Sequence, residues 1–239
     1  MKKITDITGS VYTGMWNYEP PFPKFCLQPL PEVPWVKGKV FCEIFEGVHS
    51  QTGTFLETPA HYFGNDRSYL ITDVPVEKLY EMNCTIVHLE RYFEESEQKK
   101  EQACITISML KDVLEKDSPC EGSAILLSTG WGAAWEKEYF LDKSPYIKKE
   151  AMEYLISLKP YLLGSDFPRW DNIRKSEGFF QAFYDANILM LAPCVNLHKI
   201  SSVRCKLTVL PLKIEGTSCT PCRAVIVEEM GYHGEGCKV

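Results

Sequence analysis

The sequence is poor in the features that mark several protein classes. No apolar run approaches the roughly 18 residues of a membrane span, so neither a transmembrane helix nor a membrane partner is expected. The opening residues, MKKITDITGS, are basic but carry no apolar stretch behind them, so no secretory signal is expected. Basic charge is in deficit: 26 Lys and Arg against 32 Asp and Glu leave a formal −6. A sequence-neutral binder of nucleic acid would need the opposite sign, so nucleic acid is not an expected partner. A phosphate-cradling loop is also lacking, because Gly130-Trp131-Gly132 is not followed by the rest of a dinucleotide fingerprint. Cysteine is present at ten, yet only Cys219-Thr-Pro-Cys222 has the two-residue spacing. Zinc would want a second such pair. A redox pair would want its first thiol at a helix N-terminus, and the RAVIVEEM that follows reads as a strand. The cysteines are therefore read as reduced thiols of a cytoplasmic protein.

What is there is globular. Apolar residues make up 45% and charged residues 24% of 239, enough chain to bury a core without staples. One domain over 1–239 is expected. Residues 3–8, 38–48, 84–89, 123–128, 188–192, 205–214 and 223–228 read as strands, and Leu162-Leu163 as a further one ending in Gly164-Ser165-Asp166. Helices are expected from Ser108 and over 145–158, the latter opened by Pro145 and carrying Ile147, Ala151, Tyr154, Leu155 and Leu158 at helical spacing. Pro20, Pro21, Pro23, Pro29, Pro31 and Pro34 make 18–35 an irregular arm. Residues 90–102 read as a charged, solvated connection, and 231–239 as a disordered Gly-rich tail holding His233.

The densest set of chemically capable side chains lies between 49 and 61. In an extended segment, 51, 53, 55 and 57 share one side. That side presents the Gln51 amide, bare backbone at Gly53, the Phe55 ring and the Glu57 carboxylate, with His61 following Pro59. A carboxylate and an imidazole delivered from one strand end are the minimum for general acid–base work. A structural Glu–His hydrogen bond would use the same residues. His49 could share the side of Gln51. His88 reads as a strand histidine with a local partner, and His198 as a cap or surface residue.

Gln51-Thr-Gly-Thr-Phe55-Leu-Glu57-Thr-Pro-Ala-His61 resembles the H-x-G-T-H-x-D-x-P-x-H signature of the cyclase family, which includes kynurenine formamidases and isatin hydrolases. The resemblance continues through TDITGSVYTGMW, Ser128-Thr-Gly-Trp131, Leu163-Gly-Ser-Asp166, Val195-Asn-Leu197, Pro211-Leu-Lys-Ile-Glu-Gly216 and Pro221-Cys-Arg223-Ala. It implies an α/β domain of the cyclase type, with a swivelling β/β/α-like arrangement, a mixed β-barrel-like sheet core and peripheral helices. It also implies a homo-oligomer, a dimer or tetramer.

The departures carry the functional expectation. The family's metal ligands in the signature fall here on Gln51, Phe55 and Glu57, and its later pair falls near Phe180 and on Ala192. No metal cofactor is therefore expected. If one divalent ion binds, zinc or manganese, the resemblance leaves Gln51, Glu57 and His61 to hold it. His61 stands at the family's proton-transfer position, which Glu57 would orient while Gln51 holds a carbonyl oxygen. Trp16, Phe55, Asp166 and Phe180 are the expected substrate contacts. The expected activity is hydrolysis or cyclisation at a carbonyl of a small cyclic or aromatic substrate. The alternatives are a non-catalytic ligand binder and a hydrolase with a rearranged single-metal site.

Overall fold

The computed structural model describes residues 2–31, 33, 35–38, 41–93 and 102–229. Four apolar runs form parallel neighbours in the order β5 (Met82–His88), β7 (Ala124–Ser128), β9 (Leu162–Ser165) and β10 (Leu189–Ala192). Their near-continuous apolar composition fits strands covered on both faces. β11 (Arg204–Pro211) joins antiparallel to β5, and the long β12 (Cys219–Glu229) joins antiparallel to β11. The short β4 (Phe55–Glu57) lies antiparallel between β10 and β12, so the ladder returns on itself as a closed seven-stranded barrel. β1 (Lys2–Asp6) runs along the remainder of the same edge of β12.

Alternation along the strands sorts the core into two layers. Ile86, Leu126, Leu162, Leu189 and Leu191 join Leu56, Val209 and Ile226 in the barrel interior. Val87, Ile125, Leu127, Leu163 and Met190 face outward, onto an apolar layer shared with the helices. Three helices cover that face. α2 (Ile107–Leu114) buries Leu110 and Leu114, α3 (Lys149–Ser157) buries Ala151, Met152 and Leu155, and α4 (Phe180–Asp185) buries Phe183 and Tyr184. α1 (Ala60–Phe63) is a single turn after β4. Gly164 allows the central strands to close up: a Cβ there would meet Leu126 Cδ2 at 2.5 Å and the Leu191 carbonyl at 2.8 Å.

Several expectations shift in detail. The helix expected over 145–158 starts at Lys149, because Tyr146–Ile147 (β8) instead pairs in parallel with Cys104–Ile105 (β6). α2 is capped by Thr106, whose hydroxyl accepts from the Met109 amide at 3.5 Å, two residues ahead of the expected start at Ser108. The proline-rich arm is not wholly irregular: β2 (Cys26–Pro29) and β3 (Glu43–Glu46) form an antiparallel ladder outside the barrel. Among the described residues eight cysteines are free thiols, whereas Cys120 is disulfide-bonded, which departs from the expectation of reduced thiols throughout. The expected tail at 231–239 and most of the charged connection, 94–101, lie outside the described residues. No helix among the described residues is long and apolar enough to cross a membrane.

Candidate active site

β4 sets the first part of the site. Leu56 points into the barrel, which turns Phe55 and Glu57 to the helix-covered face. Glu57 stands opposite Met190 on β10 and Cys219 on β12, and its side chain is 1% exposed. Pro59 then starts α1, so His61 falls one turn beyond Glu57, with Nε2 3.6 Å from Glu57 Oε2. Gly53 adopts φ +71°, and a Cβ there would press on Val11 Cγ2 at 2.8 Å. This tight turn brings Gln51 back toward the strand, and its amide donates to Glu57 Oε2 at 3.1 Å.

A fourth element completes the carboxylate's surroundings. Tyr184 on α4 donates its hydroxyl to Glu57 Oε1. The Cys219 thiol also lies against Glu57 and within 3.2 Å of the Ser50 carbonyl. Burial pushes Glu57 above the usual carboxylate range, while His61 and the donors from Tyr184, Gln51 and Cys219 pull it back. Burial together with the Glu57 charge raises both Tyr184 and Cys219, so each keeps its proton and remains a donor at neutral pH.

Gln51, Glu57, His61 and Tyr184 form the floor of a cavity of about 480 Å³, within the range of small-molecule sites. The walls are largely aromatic. Tyr62 stacks on Tyr184 at 5.4 Å, and Phe180 also stacks with Tyr184 at 6.1 Å. Phe55, Tyr18, Trp170, Arg169 and Asp171 are also part of the lining.

Gln51, Phe55, Glu57, His61 and Phe180 are thus brought to one cavity. Trp16 and Asp166 are not among its lining residues. Trp16 packs against Trp135 at 5.1 Å and Phe140 at 5.2 Å, one layer behind. Asp166 is fully buried and accepts from the Thr129 amide at 3.0 Å and the Thr129 hydroxyl at 2.7 Å, which ties down the Ser128–Trp131 turn. Burial raises its carboxyl to about 6. Gln51 has its amide turned to Glu57, the position of a holder of the carboxylate. His49 is held by Asn17 Oδ1 at 3.1 Å and packs on Phe22, away from the cavity floor. His88 finds its local partner in Glu90 at 3.1 Å.

Tyr184, Tyr62 and Arg169 were not among the residues expected from sequence. Phe180 and Tyr184 are four apart, the spacing that puts two rings on one helix face. Nothing local in the sequence says that this face meets β4.

The donor set bears on metal binding. Among the described residues no group of three or more His, Cys, Asp and Glu could hold a metal ion. Glu57 has both oxygens engaged by protein donors, Cys219 is held as a thiol, and Phe55 with Ala192, its register partner, offers no donor atom. The residues present do not fit a two-metal centre.

The Cyclase family model matches residues 5–172. No curated protein matches the sequence. Among solved structures, an isatin hydrolase bound to the product analogue thioisatinate superposes with a TM-score of 0.78 at 20% identity, covering 96% of this chain and 93% of that one. Isatin hydrolase A from Ralstonia solanacearum gives 0.78 at 18%, covering 95% and 92%. A potential metal-dependent hydrolase with cyclase activity gives 0.72 at 19%, covering 96% and 100%. At these identities the likeness is one of fold, and it agrees with the closed mixed barrel and its few helices. Because the family model spans more than two thirds of the sequence, the chain belongs to the cyclase family.

Proposed function

We propose that the protein is a hydrolase or cyclase acting at a carbonyl carbon of a small cyclic or aromatic substrate, with His61 as the acid–base group and Glu57 as its partner. The observation that carries this reading is the His61 imidazole, 40% exposed to the cavity side, set 3.6 Å from a carboxylate that is 1% exposed. With Nε2–H turned to Glu57, the other ring nitrogen is left as the base. In hydrolysis His61 takes a proton from water as the oxygen bonds to the carbonyl carbon. It returns the proton to the leaving nitrogen or oxygen as the C–N or C–O bond breaks. Gln51 and Tyr184 hold the two oxygens of Glu57, so the carboxylate stays aimed at the imidazole.

The proposed chemistry runs without the metal pair that the family resemblance implies, because the donor set at the cavity floor does not suit one. The isatin hydrolase neighbours support a flat cyclic substrate, as does the stack of Tyr62, Tyr184 and Phe180. Association into a dimer or tetramer is part of the proposal. It is supported by Trp35 at the end of the arm, 82% exposed, and Phe41 beyond it, 84% exposed, more apolar ring surface than a monomer usually leaves in water. The test is a panel of small lactams, lactones, aryl amides and aryl esters. Turnover that falls at least 100-fold in His61→Ala supports the reading, and turnover indifferent to that change refutes it.

A further inference from the structure

Arg169 is the one Lys or Arg among the described residues that line the cavity. Its backbone is fixed: the amide donates to Ser144 Oγ at 3.4 Å, and neighbouring Trp170 donates Nε1 to Ser165 Oγ at 2.8 Å. The guanidinium lies 5.6 Å over the Tyr18 ring, and the Tyr18 hydroxyl donates to the Pro168 carbonyl at 3.1 Å. One arm of the fork, Nη2, donates to Glu19, whose side chain is 66% exposed. The adjacent Nε is shut off from solvent and has no hydrogen-bond partner among the described residues. Arginine suits carboxylates because two parallel N–H groups match two oxygens. Here one of that pair is idle, and the other is held by an exposed side chain of the arm.

The other acids of the cavity are already engaged. Asp171 accepts from the Asn172 and Glu177 amides at 2.8 Å and 2.7 Å and from the Ser176 hydroxyl at 2.5 Å. Glu57 is occupied by Gln51 and Tyr184. Neither offers a second partner that would hold Arg169 in Glu19's place.

We propose that Arg169 is the specificity residue of this cavity and that its ligand is a small aromatic carboxylate. The ligand's carboxylate displaces Glu19 and takes both Nε–H and Nη2–H, and its ring lies among Tyr18, Tyr62, Phe180 and Tyr184. Where the reacting carbonyl sits rests on the His61–Glu57 reading; the recognition of the anion does not.

Calorimetric titration with benzoate and with benzamide, its neutral isostere, tests this on the full chain. Benzoate is expected to bind at least tenfold more tightly than benzamide. Glu19→Gln removes the competing carboxylate and should tighten benzoate several-fold while leaving benzamide unchanged. Arg169→Met should abolish the preference. Equal affinities for the two probes, no binding of benzoate, or a preference that survives Arg169→Met would each overturn the proposal. If Arg169→Met does not fold, Glu19→Gln decides alone, and an unchanged benzoate affinity overturns it. His61→Ala should keep the benzoate preference, so anion recognition and the acid–base reading fail separately.

Discussion

Glu57 is a carboxylate taken almost wholly out of water and given donors by three other segments of the chain. Removing one donor therefore has a readable consequence. Tyr184→Phe keeps the ring in its stack and deletes the O–H on Oε1. The Glu57 carboxyl, already raised by burial, should rise further. Its folded form already favours the proton more than the unfolded chain does. The stability linked to Glu57 is therefore full in acid and falls as pH rises through its raised range. Tyr184→Phe should steepen that fall, costing about 1–3 kcal/mol where Glu57 is charged and less where it is protonated. Urea melts at pH 5 and pH 8 measure this, and an equal cost at both would contradict it. On activity, His61→Ala should lower kcat by roughly 10²–10⁴-fold, and Glu57→Gln by a similar or smaller factor. The double variant should be no worse than the poorer single one, since the two act as a unit. Additive losses would separate them.

Among the elements, the barrel strands other than the three-residue β4 were legible because their cause is local: apolar runs bounded by turn residues read as strands wherever they end up. β6, β8 and α4 were not. β6 and β8 are two residues each and exist through pairing with one another. α4 is an aromatic run, Phe180–Asp185, whose helical face has meaning only against β4 and α1. The same limit explains the site. Gln51, Phe55, Glu57 and His61 lie within eleven residues and could be seen together, while Tyr184 and Arg169 arrive over long chain separations. Trp16 and Asp166 carried suitable chemistry, and nothing in the sequence revealed that each was already committed to packing or to a turn.

Two elements offer direct tests. Gly164→Ala in β9 would force a methyl against Leu126 and the Leu191 carbonyl. It should cost about 1–3 kcal/mol in urea unfolding. Glu228 near the end of β12 accepts from the Ser201 amide and hydroxyl at 2.9 Å, from the Ser202 amide at 3.0 Å, and meets Lys3 at 2.8 Å. These donors hold its carboxyl down to about 2. A depressed folded carboxyl stabilises the fold above its ordinary range, and that contribution is lost as pH falls through about 2. Glu228→Gln should therefore cost roughly 1–3 kcal/mol near pH 7. The difference should shrink on acidification, and a pH-independent cost would contradict the linkage.

At the scale of the whole molecule, the barrel and the helices over its outer face present β4 at the base of a cavity, in the fold of the cyclase family. By the resemblance read in the sequence, Gln51 and Phe55 would stand where the signature has histidine. Restoring both, as Gln51→His with Phe55→His, should raise zinc or manganese affinity in a protein that still folds, as measured by calorimetry. A folded variant with no gain would mean that Glu57 is not available from the same side. The central claim is that an imidazole and a buried carboxylate do the work at this cavity floor without the family's metal pair. The measurement that tests it most directly is turnover of a responsive amide or ester by chelator-stripped protein, beside stripped His61→Ala. The account predicts that the stripped protein keeps its rate and that His61→Ala loses at least 100-fold. A rate that vanishes on stripping and returns with zinc or manganese would contradict it.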